Sequence, residues 1–304
     1  MKVKLTLLVL LISFTGISQN DIIQIKQGQA YTKLQSYKRL FGDKFSKNDS
    51  LNFILKGKDT LVPFPKDYEK TANVLVSYEP KDSLFLEIYK NIVYKKFRKP
   101  IKESDNKLRM RYWKTDIRIY FAKSVDATVK KELKKFATYL SEEVDSLKIT
   151  FVNHIEKSNY VVYGYNSKNN YKYEDRIKSE NNDYYISWDT NQRIYNCKLQ
   201  INADSFKNKE DLVIESKRMF LGSLGHFNFT SQLPKESLLS VLYFKNKSLT
   251  PQDLEILKYH YSYGICKGTD LETFEEQHEM AKKTFLETGR NMIFIHPKSS
   301  NKNK

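Results

Sequence analysis

The clearest pattern in the chain is an apolar stripe. Val125, Val129, Leu133, Phe136, Leu140, Val144 and Leu147 follow one another at spacings of 4, 4, 3, 4, 4 and 3. These spacings keep every apolar side chain on one face of a 3.6-residue repeat, which predicts an amphipathic helix of about six turns. Ser124 stands just before it as a candidate N-cap. Around that helix the period falls to two. Asp116–Phe121 alternates as a strand does, and Lys148–Val152, Tyr160–Tyr165, Tyr184–Trp188 and Cys197–Asn202 read as four more. Downstream, Thr250, Pro251 and Asp253 fit the N-cap, N1 and N3 positions of a helix whose Leu254, Leu257 and Tyr261 share a face. A helix is also expected through Arg218. It should end at Gly225, with the glycine in the left-handed region and Leu224 buried.

The first hundred residues are less legible. Leu84, Phe85, Ile88, Ile92 and Val93 suggest a helix ahead of Pro100. Val62-Pro63-Phe64-Pro65 reads as a loop, because paired prolines suit neither a helix interior nor a central strand. Asn166–Asp183 is polar and is expected to form an exposed hairpin or insertion. No internal repeat is visible.

The N-terminus changes the class of protein. Lys2 and Lys4 precede the short apolar run Leu5–Phe14, and Gly16 and Ser18 are small residues ahead of Gln19. This is the layout of a secretory signal cleaved near Ser18/Gln19, with no later stretch apolar enough to span a membrane. The expected division is therefore 1–18 signal peptide, 19–110 an N-terminal region without a chemical motif, 111–296 the main domain, and 297–304 a disordered tail. The mature chain would be periplasmic or secreted. The formal charge of +16 favours polyanionic partners such as anionic cell-envelope components. Nucleic acid is not expected, because no binding motif for it is present. The 21 tyrosines suit strands and core positions better than a sugar site.

Candidate chemistry gathers in Arg218-Met219-Phe220-Leu221-Gly222-Ser223-Leu224-Gly225-His226-Phe227-Asn228. Downstream lie Ser240-Val241-Leu242-Tyr243 and the helix that opens at Thr250. Together these resemble the metzincin zinc proteases of matrixin type, whose motif is H-E-x-x-H-x-x-G-x-x-H followed by a Met-turn and a closing helix. The resemblance covers roughly residues 112–264. It implies an α+β, metzincin-like fold with a twisted mixed sheet of about five strands. A long first helix, a degenerate active-site helix and a C-terminal helix complete that plan. The chain also looks like exported bacterial families of unknown function that keep a Leu-Gly-x-x-Asn helix end.

The motif's chemistry is missing. Two histidines four apart would reach one zinc ion from a single helix face, and the glutamate would take a proton from bound water. Their positions fall on Arg218, Gly222 and Met219, and the third ligand falls on Asn228. Only Gly225 is kept. His226 is one residue off any ligand position and suits a cap of the helix C-terminus. The Arg218 guanidinium is expected where the first ligand would be, paired with Glu215 one turn earlier or with an acidic group across the cleft. His154, His260, His278 and His296 are scattered singly. No metal or other cofactor is therefore expected, and no catalytic residue is assigned. Leu242 stands where the Met-turn has methionine. Within the resemblance, Cys197 precedes the Leu-Gly helix and Cys266 follows the closing one, and in an exported chain they are expected to form a disulfide.

The leading expectation is an exported protein with an inactive protease-like domain in a binding or scaffold role. The resemblance implies a peptide-binding cleft beside an edge strand. The alternatives are a basic protein that binds envelope polymers, and a hydrolase using groups other than zinc.

Overall fold

A computed structural model describes residues 31–41, 45, 50–56, 59–63, 73–78, 80–94, 109–168, 171–178, 181–289 and 291–297. The expected signal and the tail beyond Pro297 lie outside these residues. The chain divides into two compact units, Met1–Pro80 with Gln277–Lys304, and Lys81–Glu276.

The first unit holds β1 (Tyr31–Lys33), α1 (Leu34–Phe41), β2 (Ile54–Lys56), β3 (Asp59–Pro63) and β4 (Asn73–Ser77). β3 runs antiparallel between β1 and β2. Val62 and Pro63 therefore end a strand rather than open a loop, with Pro63 tolerated as its last residue, opposite Tyr31. Phe64 and Pro65 lie outside the described residues.

The larger unit opens with α2 (Ser83–Tyr94), the helix expected ahead of Pro100. β5 (Tyr112–Trp113), β6 (Ile117–Phe121), α3 (Ala127–Glu143), β7 (Ile149–Val152), β8 (Tyr160–Tyr165), β9 (Asp183–Trp188) and β10 (Arg193–Asn202) follow. α4 (Lys209–Ser223) and α5 (Pro251–Tyr261) complete its own helices. The last helix, α6 (Leu271–Thr288), divides between the units, and β11 (Ile293–Pro297) pairs antiparallel with β4 in the smaller one.

The larger unit is α+β. Its sheet has six strands in the order β5-β10-β8-β6-β7, with β9 on β10. All neighbours are parallel except β9, which is antiparallel to β10. The sequence pattern misses only β5, whose two residues carry no periodicity and owe their extension to pairing with Arg193 and Ile194.

All seven residues of the apolar stripe are buried. The helix itself spans Ala127–Glu143, shorter than the stripe, and Val125, Val144 and Leu147 bury from the flanking turns. Its N-cap is Asp126, whose carboxylate accepts from the Thr128 and Val129 amides. Ser124 does not cap it. The Ser124 hydroxyl instead accepts from Gly164 N at 3.0 Å, where the β8 backbone crosses close by. α3 meets α4 through Phe136 and Phe220, and Phe220 packs on Tyr160 of β8.

The Asn166–Asp183 connection contains no strand before β9 among its described residues. It is also anchored to the sheet. The Gln200 amide donates to the Lys178 and Asn181 carbonyls, and Tyr173 packs on Tyr163.

Cys197 and Cys266 are not joined by a disulfide, so the expected bridge is not formed. Cys197 is fully buried at mid-strand in β10, where it pairs with Tyr160 of β8 and Ile186 of β9, and burial pushes its thiol up to about 12.

Candidate functional site

The Arg218–Asn228 segment lies on the second half of α4 and the turn after it. The helix ends at Ser223 with Leu224 as its C-cap, one residue before the expected Gly225; Leu224 is fully buried as expected, but the left-handed residue is His226 (φ 55°), not Gly225. The Phe227 amide donates to the Gly222 carbonyl at 2.8 Å, which closes the turn around His226. Gly225 is needed for a different reason. A Cβ there would lie 2.1 Å from Cε1 of Phe227. That ring is buried and sits edge-on to His260 at 4.8 Å, so it has little room to yield. Gly225→Ala is expected to destabilise the unit by about 1–3 kcal/mol through overpacking. An unchanged urea midpoint would refute the assignment.

Each ligand position of the motif is put to another use. Arg218 donates to Glu215 at 2.6 Å, to the Leu238 carbonyl at 3.1 Å and to the Ser240 carbonyl at 3.1 Å. Its guanidinium lies 4.7 Å from the centre of the Phe229 ring. Of the two pairings open at the sequence level, the one with Glu215 is formed. The rest makes Arg218 a tie between α4 and the following loop.

Gly222 leaves room for aromatic rings. A Cβ on it would stand 3.2 Å from Phe229 Cζ, 3.3 Å from Tyr184 Cε1 and 3.4 Å from Tyr184 Oη. Burial raises the Tyr184 phenol well above its usual range, so the group stays neutral. Met219 is buried. Asn228 is held by its backbone, its amide donating to the Ile92 carbonyl at 2.8 Å. A guanidinium, two aromatic rings and an amide do not make a zinc donor set. Among the described residues no group of three His, Cys, Asp or Glu side chains converges on a point.

The Ser240–Tyr243 segment is split. Ser240 is fully buried, whereas Val241, Leu242 and Tyr243 are exposed, so Leu242 does not underlie the site. The loop around it is held by charge. Lys247 buries its ammonium among the carbonyls of Lys235, Ser237 and Ser240, so Ser240 O receives both Lys247 and Arg218. α5 starts as read from the sequence, with Thr250 and Asp253 forming a reciprocal capping box and Pro251 in the first turn.

Beside this filled site runs the free edge of β9. The Cys197 amide donates towards β8, to the Asn159 carbonyl, so the peptide groups of Lys198 face β9. Lys198 lies opposite Tyr185, so the peptide groups of Tyr184, Ile186 and Trp188 face outward. No described strand pairs with them. The Tyr184 amide is taken by the Asp183 carboxylate at 2.7 Å.

At the Trp188 end lies a cluster that no sequence motif marks. The Arg111 guanidinium stacks 3.9 Å from the Trp188 ring centre, and its Nη1 lies 3.1 Å from His226 Nδ1. His226 sits edge-on between Tyr184 and Trp188, 6.1 Å from each. These residues come from the lead into β5, from β9 and from the end of α4, so no local motif could reveal them. No protein-family model matches this chain, and no curated protein matches it.

Proposed function

We propose that this is an exported protein whose larger unit keeps a metzincin-like fold as a peptide-binding scaffold and does no zinc chemistry. The N-terminal charge-then-apolar pattern supports export. The order of elements supports the fold. A long first helix lies among the strands, a helix ends at Leu-Gly, and a turn and a capped closing helix follow.

One observation carries the functional reading. The space beside Gly222, where the resemblance would have a metal ligand, is packed with Tyr184 and Phe229, while no described strand pairs with the adjacent edge of β9. An exposed strand edge binds extended peptides through main-chain hydrogen bonds. Retaining it beside a plugged centre favours binding over turnover.

Two measurements test this on the mature protein. Added zinc should leave the melting temperature unchanged, because a ligand held only by the folded state would raise it. Extended peptides should bind without being cleaved, and N-methylation at alternate residues should abolish binding by removing edge hydrogen bonds. A zinc-dependent rise in melting temperature, chelator-sensitive cleavage, or binding indifferent to N-methylation would overturn the reading.

A further inference from the structure

We infer that Arg111 is an anchor for a carboxylate on a peptide laid along the free edge of β9. The inference rests on the edge-binding reading above and adds the chemistry of the ligand.

Arg111 is a half-buried cation without a counter-ion among the described residues. Arg176, Arg193 and Arg218 each hold a carboxylate. Among the described residues Arg111 holds none. Its partners are the neutral face of Trp188 and the ring nitrogen of His226. Its Nε is buried without a hydrogen-bond partner. Burying a charge without compensation is costly, and its surroundings already disfavour the charged form. His226 meets Arg111 from a left-handed backbone that a β-carbon disfavours. Such strain persists only where the surrounding structure imposes it, and it clusters at functional sites.

The cluster is placed to read a peptide. Trp188 is the last residue of β9 and 37% exposed, and Arg111 covers it. The opposite end of the same edge carries the Asp183 carboxylate. The edge is therefore polar along its length, with a cation at the Trp188 end and an anion at the other. Outward peptide groups recur every second residue, about 6.8 Å apart. A strand of about five residues spans the edge from Asp183 to Trp188, and its end beside Trp188 then lies within a side chain's reach of Arg111. A planar guanidinium fork suits a carboxylate there. That carboxylate can come from an Asp or Glu side chain in either strand direction. It can come from the peptide C-terminus only if the strand runs parallel to β9.

The test uses the mature full-length protein and fluorescein-labelled hexapeptides of alternating Thr and Val, followed by anisotropy. One set is C-terminally amidated with Glu at the first or the last position. A second set carries Gln at those positions, and a third has a free C-terminal carboxylate. At least one carboxylate peptide should bind tenfold or more tighter than its neutral counterpart. Glu preferred at the first position indicates antiparallel addition. Glu at the last position, or the free terminus, indicates parallel addition. Arg111→Gln should erase the preference and leave the neutral peptide's affinity within twofold, and Arg111→Lys should keep part of it. His260 bonds only the Arg111 carbonyl, so these substitutions leave that contact in place. Equal binding of charged and neutral peptides, or a preference that survives in Arg111→Gln, would overturn the anchor while leaving edge binding intact. Failure of every peptide to bind would overturn the edge reading and the anchor together.

Discussion

Lowering the pH from about 6.5 to about 4 should cost the protein roughly 3 kcal/mol of stability through His260 alone. His260 is fully buried, with Tyr89 Oη 3.2 Å from its Nδ1 and its Nε2 donating to the Arg111 carbonyl at 2.9 Å. Burial is the main reason its pKa falls to about 3. The nearby Lys267 ammonium adds to the effect, and the bond to the Arg111 carbonyl opposes it. The sign follows directly. Between the ordinary histidine value of 6.5 and about 3 the unfolded chain binds a proton that the folded chain refuses. The stabilisation is therefore complete above 6.5 and is lost as pH falls towards 3. Carboxylates whose pKa is lowered, such as Asp126 and Glu174, add their own loss only as pH falls past their ordinary values of 3.8 and 4.5, with or without His260. Urea unfolding at pH 7 and pH 4 checks the expectation. His260→Gln keeps a donor for the Arg111 carbonyl and removes the titration, so its loss between the two pH values should be smaller by roughly 3 kcal/mol. Parallel pH profiles for the two proteins would show that His260 is not the sensor.

Elements held by local signals could be read from the sequence. The 3.6-residue stripe placed α3 because one helix face must bury it, and Val129, Leu133, Phe136 and Leu140 do so within the helix. Thr250 and Asp253 placed the start of α5 because a capping box depends only on residues three apart. Signals that compete with distant contacts misled. Ser124 has a capping hydroxyl, but the β8 backbone at Gly164 engages it and Asp126 caps instead. Gly225 sits where a left-handed glycine is expected, yet its missing side chain makes room for Phe227 and the left-handed role passes to His226. A glycine near a helix end carries the same letter for both purposes. The Arg218–Asn228 sequence names the residues of this segment but not their neighbours. It does not tell what fills the space beside Gly222, because Tyr184 arrives from another strand. Arg111, Trp188 and His226 meet only through the pairing of β5 and β9 with β10, and nothing local marks that meeting.

Asp253→Ala should be among the most damaging single substitutions in the larger unit, at roughly 3–5 kcal/mol. The carboxylate is fully buried and accepts from Thr250 N at 2.9 Å, Leu238 N at 3.0 Å and Ser237 Oγ at 2.5 Å. It therefore starts α5 and fixes the loop that follows α4. That loop lacks a regular strand or helix, and three charged side chains hold it. Asp253 receives its amides and a hydroxyl, while Arg218 and Lys247 donate to its carbonyls. Alanine leaves two buried amides without acceptors and removes an anion that acts favourably on the Lys247 ammonium. Asparagine offers one acceptor oxygen and presents an NH2 group to donors, so Asp253→Asn should recover only part of the loss. Because Arg218 ties the same loop to α4, Arg218→Met should cost less once Asp253 is gone. A double-mutant cycle in urea should give a coupling of about 1 kcal/mol or more. Additive losses would mean that the two side chains hold separate structures, and that the loop beside the filled site is not a single charge-held unit.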